Sequence, residues 1–336
     1  MSLVPAALAP WQQQRLDTAL AAWRAGRLGH AQLLCGPEQL GKRAVADALV
    51  ARLLCEAPQH LPPCGHCRDC TLRVAGTHPD FRLLTFEEVP KSSPPRLRTE
   101  IVVDQVRDVI GSMQLTAQRG GAQIVLIDPA DALNKAAANA LLKTLEEPVG
   151  NRFLLLVSAA PQDLPATIRS RCQRIEFVVP ERESARAWLA AQGHPGARAT
   201  EALEAAQGHP GLADAWLRAG HLALRETTLK ELAGVARGVL APLGVAQAWM
   251  ADTDVAALRL RFVADAAVAL ARHGAGVGAA PVAGLTAPAD TDKLAAWFDQ
   301  LNRLRPQLTA PLRHELALAG LLAEWRGLMA TTETRR

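Results

Sequence analysis

Short apolar runs alternate with helical periodicity through the first half of the chain. The runs predict strands at Gln32–Cys35, Phe81–Leu84, Gln123–Ile127, Phe153–Ser158 and Arg174–Val179. Several are continuously apolar, the pattern of strands covered on both faces of a parallel sheet. Between them, Arg43–Leu54, Asp104–Leu115 and Asp131–Glu147 read as helices. Val106, Val109, Ile110 and Met113 line one face of the second; Leu133, Ala137, Leu141 and Leu145 line one face of the third. Strands alternating with helices predict a doubly wound α/β domain over residues 1–178.

After Pro180 the strand signals stop. Residues 179–221 read as a small helical domain, punctuated by Gly-His-Pro-Gly at 193–196 and again at 208–211. Residues 222–336 read as a third domain, wholly helical. Its stripes Leu294, Trp297, Phe298, Leu301 and Leu312, Leu316, Ala319, Leu322 are those of a helix-bundle core, with room for part of a face to serve a partner. The run His273–Asp290 reads as a flexible loop by its composition.

Composition supports this division. A chain of 336 residues exceeds one ordinary compact domain, and 49% hydrophobic content can bury a sizeable core. Alanine and leucine dominate and tyrosine is absent, which favours helix over an all-β architecture. The net charge of +4 comes from scattered basic residues; it permits contact with nucleic acid without demanding it. Arg15 is the first basic residue, and Pro5 and Pro10 break the leading apolar run, so no secretory signal is expected. No uncharged apolar stretch reaches the roughly 18 residues of a membrane span. Both points place the chain in the cytoplasm, where thiols stay reduced, and turn a cysteine cluster toward metal rather than disulfides.

Four of the six cysteines form such a cluster: Cys55, Cys64, Cys67 and Cys70, spaced C-x8-C-x2-C-x2-C. Four thiolates surround zinc tetrahedrally at about 2.3 Å and leave no position for water, so the expected role is structural. An iron–sulfur cluster is the alternative, but ferredoxin spacing puts the fourth cysteine downstream, followed by proline. His66 and His78 read as solvated loop residues or substitute ligands. Cys35 reads as strand core.

Gly36 to Arg43 nearly matches the phosphate-binding pattern G-x-x-x-x-G-K-[ST]. A strand precedes it and a helix follows, so backbone N–H groups stand ready for phosphate oxygens. The last position, however, is Arg43, which has no lone pair for Mg²⁺. Downstream, Gln123–Ile127 ends in Asp128, the second magnesium ligand of phosphate-loop enzymes. The next position, where a water-orienting glutamate commonly stands, is Pro129, and Asp131 reads as the N-cap of the following helix. The magnesium hydroxyl and the water-orienting carboxylate are missing together, so no useful ATP hydrolysis is expected. Gly36, Gly41, Lys42 and Asp128 are then a vestigial nucleotide site. Two readings of the loop stay open: a plain turn, or weak, metal-poor nucleotide binding.

Leu141–Pro148 (LLKTLEEP), Phe153–Gln173 (FLLLVSAAPQDLPATIRSRCQ) and Ile101–Ile110 (IVVDQVRDVI) resemble the AAA+ clamp-loader subunits of DNA replication. The departures at Arg43 and Pro129 resemble the delta prime kind within bacterial DNA polymerase III. The resemblance is specific over residues 20–180 and weak over the helical remainder. It implies an AAA+ domain, a helical lid and a C-terminal collar that holds a hetero-pentamer together. It also implies that Ser170-Arg171-Cys172 carries an arginine finger, Arg171 reaching in trans into a neighbour's ATP site. Such fingers are worth roughly 10³–10⁵ in turnover. Against that stands the plain alternative that Arg171 pairs with an acidic group of its own domain. Ser158-Ala159 stands where active members carry threonines, and Gly211 or Leu212 where their lid supplies an arginine. The family also carries this cysteine spacing, with structural zinc, as an insertion in its first domain.

The implied partners are the gamma/tau ATPase subunits, the delta subunit, the sliding clamp and primed DNA. Two rivals remain. An ATP-hydrolysing subunit of gamma/tau type predicts magnesium-dependent hydrolysis by the isolated chain. A zinc-containing regulatory protein predicts no association with clamp-loader subunits.

Overall fold

The computed structural model describes all residues except 1–6, 90–95, 148, 278–284, 286–289, 310–312 and 334–336. The chain divides into two compact units, Met1–Ala215 and Trp216–Arg336.

In the first unit the elements run α1 (Pro10–Arg24), β1 (Ala31–Cys35), α2 (Lys42–Leu54), α3 (Arg68–Val74), β2 (Phe81–Leu84), α4 (Val103–Gln114), β3 (Gln123–Ile127), α5 (Lys135–Glu146), β4 (Arg152–Ser158), α6 (Ala166–Arg169), β5 (Gln173–Glu176), α7 (Arg182–Ala191) and α8 (Ala197–Ala205). A further helix, α9 (Pro210–Ala219), spans the boundary. The five strands form one parallel sheet in the order β2-β3-β4-β1-β5. This is the doubly wound sheet expected from the alternating pattern.

The continuous apolar runs have a simple cause. In β1, Leu34 packs toward α1 and α2, whereas Leu33 and Cys35 pack toward α4 and α5. Strand β3 divides in the same way, Ile124 and Leu126 against Val125 and Ile127. Both faces of the central strands are covered, so nearly every position is apolar, with buried Gln32, Gln123 and Ser158 as the polar exceptions. The edge strands escape that demand: β5 is mostly exposed and ends at Glu176, three residues short of its expected boundary.

Helix starts follow local chemistry. Gly41 precedes α2 at φ +85°, and Gln12 reaches back 3.0 Å to the backbone N–H of Ala9 at the start of α1. The helix after β3 starts later than expected. Asn134, not Asp131, caps α5 by accepting the N–H of Ala137 at 2.9 Å. Asp131 lies instead in a single turn, Ala130–Ala132, and accepts the N–H of Ala159 at 3.1 Å. A carboxylate with a backbone donor on a neighbouring strand end does not need to cap a helix.

The second unit holds α10 (His221–Ala236), α11 (Pro242–Met250), α12 (Thr253–Gly274), α13 (Thr291–Leu304) and α14 (His314–Glu333). Trp249, Trp297 and Trp325 are buried in its core, and Trp297 donates to the carbonyl of Leu321 at 2.7 Å. The stripe Leu294, Trp297, Leu301 is core, as expected. Leu316 is not: it is 54% exposed, because α14 buries Leu318, Leu321, Leu322, Trp325 and Met329, a face about half a turn away. Leu312 and most of the loop expected at 273–290 lie outside the described residues, though α12 continues through Gly274. Among the described residues no helix is long and apolar enough to cross a membrane.

Candidate functional site

The loop Gly36–Gly41 leaves the carboxyl end of β1 and opens α2, where open α/β sheets bind ligands. Its backbone is tightly enclosed. Gly36 sits at φ +135°, and a Cβ there would collide with the carbonyl of Phe177, just past β5. A Cβ at Gly41 would collide with the side chain of Gln12, and one at Gly211 with the carbonyl of Gln39. Gln12 and Trp11 of α1 both donate to the carbonyl of Leu40, each at 3.2 Å. The loop is therefore held from three sides, by α1, by the chain after β5, and by the start of α9.

Its two cations are engaged within the chain. Buried Lys42 turns its ammonium back onto the loop, donating to the carbonyls of Gly36 at 2.7 Å and Pro37 at 2.6 Å. Burial pushes its pKa down, against the pull of Glu38, Asp131 and Asp128. Arg43 donates to Asp47 at 3.0 Å and to Asp128 at 2.9 Å. The structure thus brings together three of the expected nucleotide-site features, the loop, Lys42 and Asp128. It also shows what the sequence did not suggest: Arg43 lies on Asp128, the carboxylate that a Ser/Thr hydroxyl would otherwise join around Mg²⁺. The hydroxyl of Ser158, at the end of β4, is buried without a hydrogen bond. Beside the loop, a cleft of about 430 Å³ is lined by Trp11, Arg15, Val179 and Glu181 among others.

Arg171 lies elsewhere in this unit. It follows the four-residue α6, which buried Ile168 anchors to the core. Its guanidinium donates to the carbonyl of Thr167 at 3.0 Å and to Glu146, the last residue of α5, at 2.6 Å. The ion pair is open to solvent, with side-chain exposures of 35% and 50%. Such pairs are worth roughly 0–1 kcal/mol, so the guanidinium can change partner at little cost. Ser170 turns its hydroxyl to the carbonyl of Thr167 at 3.2 Å. Cys172 is buried, and burial pushes its thiol up to about 11.

The four clustered cysteines converge: the sulfurs of Cys55, Cys64, Cys67 and Cys70 all lie within 4.8 Å of one another. Cys55 is 3.6 Å from Cys64 and 3.9 Å from Cys67. Zn–S bonds of about 2.3 Å imply tetrahedral S···S edges of roughly 3.8 Å, so the set fits a tetrahedral metal ion. Backbone N–H groups point at the sulfurs, from Cys64 to Cys55 at 3.3 Å and from Cys67 to Cys64 at 3.3 Å. The N–H groups of His66 and Cys67 hold the Cys64 thiol down at about 6, while burial pushes Cys70 up to about 12. His66 is exposed. His78 is buried rather than solvated, its Nε2 lying 3.4 Å from Asp69. A position three residues ahead of a strand start carried no signal of that burial. Cys35 is buried in β1, as expected.

Residues 11–181 match the family model described as DNA polymerase III, delta subunit. Over 183 residues the chain is 46% identical to DNA polymerase III subunit delta' of Pseudomonas aeruginosa, covering 54% of this chain and 52% of that one. To the Escherichia coli subunit delta' it is 39% identical over 183 residues, with the same coverage. To DNA polymerase III subunit tau of Salmonella typhimurium it is 37% identical over 161 residues, 48% of this chain and 23% of that one. The chain spans about half the length of the delta' relatives it matches. Among solved structures, a gamma subunit-related protein of Thermotoga maritima aligns over 94% of this chain and 99% of its own, with a TM-score of 0.44 and 15% identity.

Proposed function

We propose that this chain, which belongs to the DNA polymerase III, delta subunit family, works as a clamp-loader subunit of the delta prime kind, silent toward ATP and lending Arg171 to a neighbour's ATP site. The observation that carries the silent half is the 2.9 Å pair between Arg43 and Asp128. A tethered guanidinium neutralises the carboxylate, and Mg²⁺ would have to displace it. Lys42 is turned onto its own loop, and Pro129 offers no base to orient water. Phosphoryl transfer needs each of these groups in place.

Arg171 supports the donating half. Its planar fork suits phosphate oxygens, and its present partner is an exposed carboxylate that is cheap to leave. Placed at a neighbour's γ-phosphate, it would stabilise the charge that develops there. The partners would be the gamma/tau and delta subunits of a hetero-pentamer that loads a sliding clamp on primed DNA in the cytoplasm. In this reading residues 1–178 are the AAA+ domain, 179–221 the lid and 222–336 the collar. Cys55, Cys64, Cys67 and Cys70 would hold a structural zinc ion that ties the end of α2 to α3.

Reconstitution with gamma/tau and delta subunits tests the reading. Arg171→Ala is expected to cut DNA- and clamp-stimulated ATP turnover sharply while assembly stays intact; unchanged turnover removes the proposal. Elemental analysis is expected to find one zinc per chain. The 37% identity to a tau subunit favours one second reading, an ATP-hydrolysing subunit. It requires magnesium-dependent hydrolysis by the purified chain alone.

A further inference from the structure

We infer that Arg119 is a positioning residue for the four-cysteine site, closing its ligand loop from outside so that a metal ion meets a preformed cage. The inference rests on the zinc reading above.

Arg119 belongs to the turn between α4 and β3, about fifty residues beyond the last cysteine. Its Nε donates to Asp69 at 2.7 Å and its Nη2 to Glu56 at 2.8 Å. Glu56 directly follows the first sulfur ligand, Cys55, and Asp69 directly precedes the last, Cys70. One guanidinium therefore spans the two ends of the ligand segment. Asp69 is buried, and a carboxylate taken out of water needs a cation beside it.

The backbone under Arg119 is held as well. The carboxylate of Asp80 accepts the N–H groups of Gln118 and Arg119, both at 2.8 Å. The N–H of Asp80 donates to Nδ1 of His78 at 3.1 Å, and the other ring nitrogen faces Asp69. A second arginine works from within. Arg52, fully buried in the last turn of α2, donates to the carbonyls of Cys55 at 3.1 Å, Ala57 at 2.6 Å and Leu61 at 3.2 Å. The segment between the first and second ligands is wound around that cation. The cage thus has an inner and an outer brace that owe nothing to a metal, unlike small zinc modules whose folding is the binding event.

The test uses the full chain loaded with zinc(II) or cobalt(II), the latter read by its thiolate and ligand-field absorption. Release to excess chelator is compared for wild type, Arg119→Ala, Arg119→Lys and Glu56→Gln. Outer partners of metal sites commonly change affinity by about 10–100-fold. Arg119→Ala is expected to speed release by about 10-fold or more, with the tetrahedral cobalt spectrum kept at saturation. Arg119→Lys should recover only part of the loss, because an ammonium cannot fork onto two carboxylates. Glu56→Gln, which weakens only the exposed arm, should shift release the same way by less, and it decides the matter if Arg119→Ala does not fold. Release unchanged in both, even with a lower melting midpoint, overturns the inference and leaves the zinc reading standing. A wild-type chain that takes up neither metal overturns both.

Discussion

Arg43 and Arg171 each end on a carboxylate, at 2.9 Å to Asp128 and 2.6 Å to Glu146. The distances barely differ, but the surroundings do. Arg43 is gripped by a second carboxylate, Asp47, and stands beside a lysine whose ammonium is spent on its own loop. That loop is itself pinned by Gln12 and Trp11. Moving Arg43 strands a half-buried charge and disturbs its neighbours. Arg171 has one exposed carboxylate and one carbonyl, and a rotamer change frees it. Length does not separate a locked ion pair from an exchangeable one. Nor does exposure of the guanidinium, 37% against 35%; the number of carboxylate partners and the burial of the partner, 22% exposed for Asp128 against 50% for Glu146, do.

The comparison breaks most visibly at Arg171. In a reconstituted clamp loader, Arg171→Ala should slow the adjacent site by roughly 10³-fold or more, about 4 kcal/mol of transition-state stabilisation. Single-turnover hydrolysis would show this as a new slow phase; its absence would mean that the exposed arginine has no trans role. Next in size is Arg43→Ala. It leaves Asp128 without its cation and should cost about 1–2 kcal/mol in urea unfolding, a value reduced because Arg43 is 37% exposed. A cost near zero would deny that the pair is a lock.

Gln12→Ala removes the donor lying over Gly41 and should cost about 1 kcal/mol. Faster amide exchange confined to residues 39–42 would trace that loss to the loop. The smallest effect is expected from Glu146→Gln: under about 0.5 kcal/mol of stability, with stimulation of the partner within about twofold of wild type. A large loss there would turn the exchangeable pair into a second lock.

Much of this was readable in the residues, for particular reasons. The runs at 123–127 and 153–158 are apolar at almost every position because both faces of β3 and β4 are covered, so their strands were predicted to within a residue. The convergence of the cysteines was legible because C-x2-C spacing brings sulfurs together in a way that few other patterns share. Arg43 was legible as a missing hydroxyl but not as a new bond. Nothing about an arginine at 43 and an aspartate at 128 says that they meet, since only the parallel pairing through β1, β4 and β3 brings them together. Asp131 was misread as a cap because a capping residue and a strand-end acceptor look alike in one dimension. Leu316 was misread because a leucine-rich helix offers several apolar stripes and only packing selects one.

The amino-acid order alone determined the layered α/β architecture, the clustering of four cysteines and the arginine that stands where the phosphate-loop pattern has a hydroxyl residue, because these depend on periodicity, short-range spacing and residue chemistry. The folded chain decided where each charge is spent: Lys42 on its loop, Arg43 on Asp128, Arg119 across the cysteine module, and Arg171 at the solvent edge. Those outcomes depend on long-range proximity and on burial, and a side chain's partners are set by what the fold carries within about 4 Å of it.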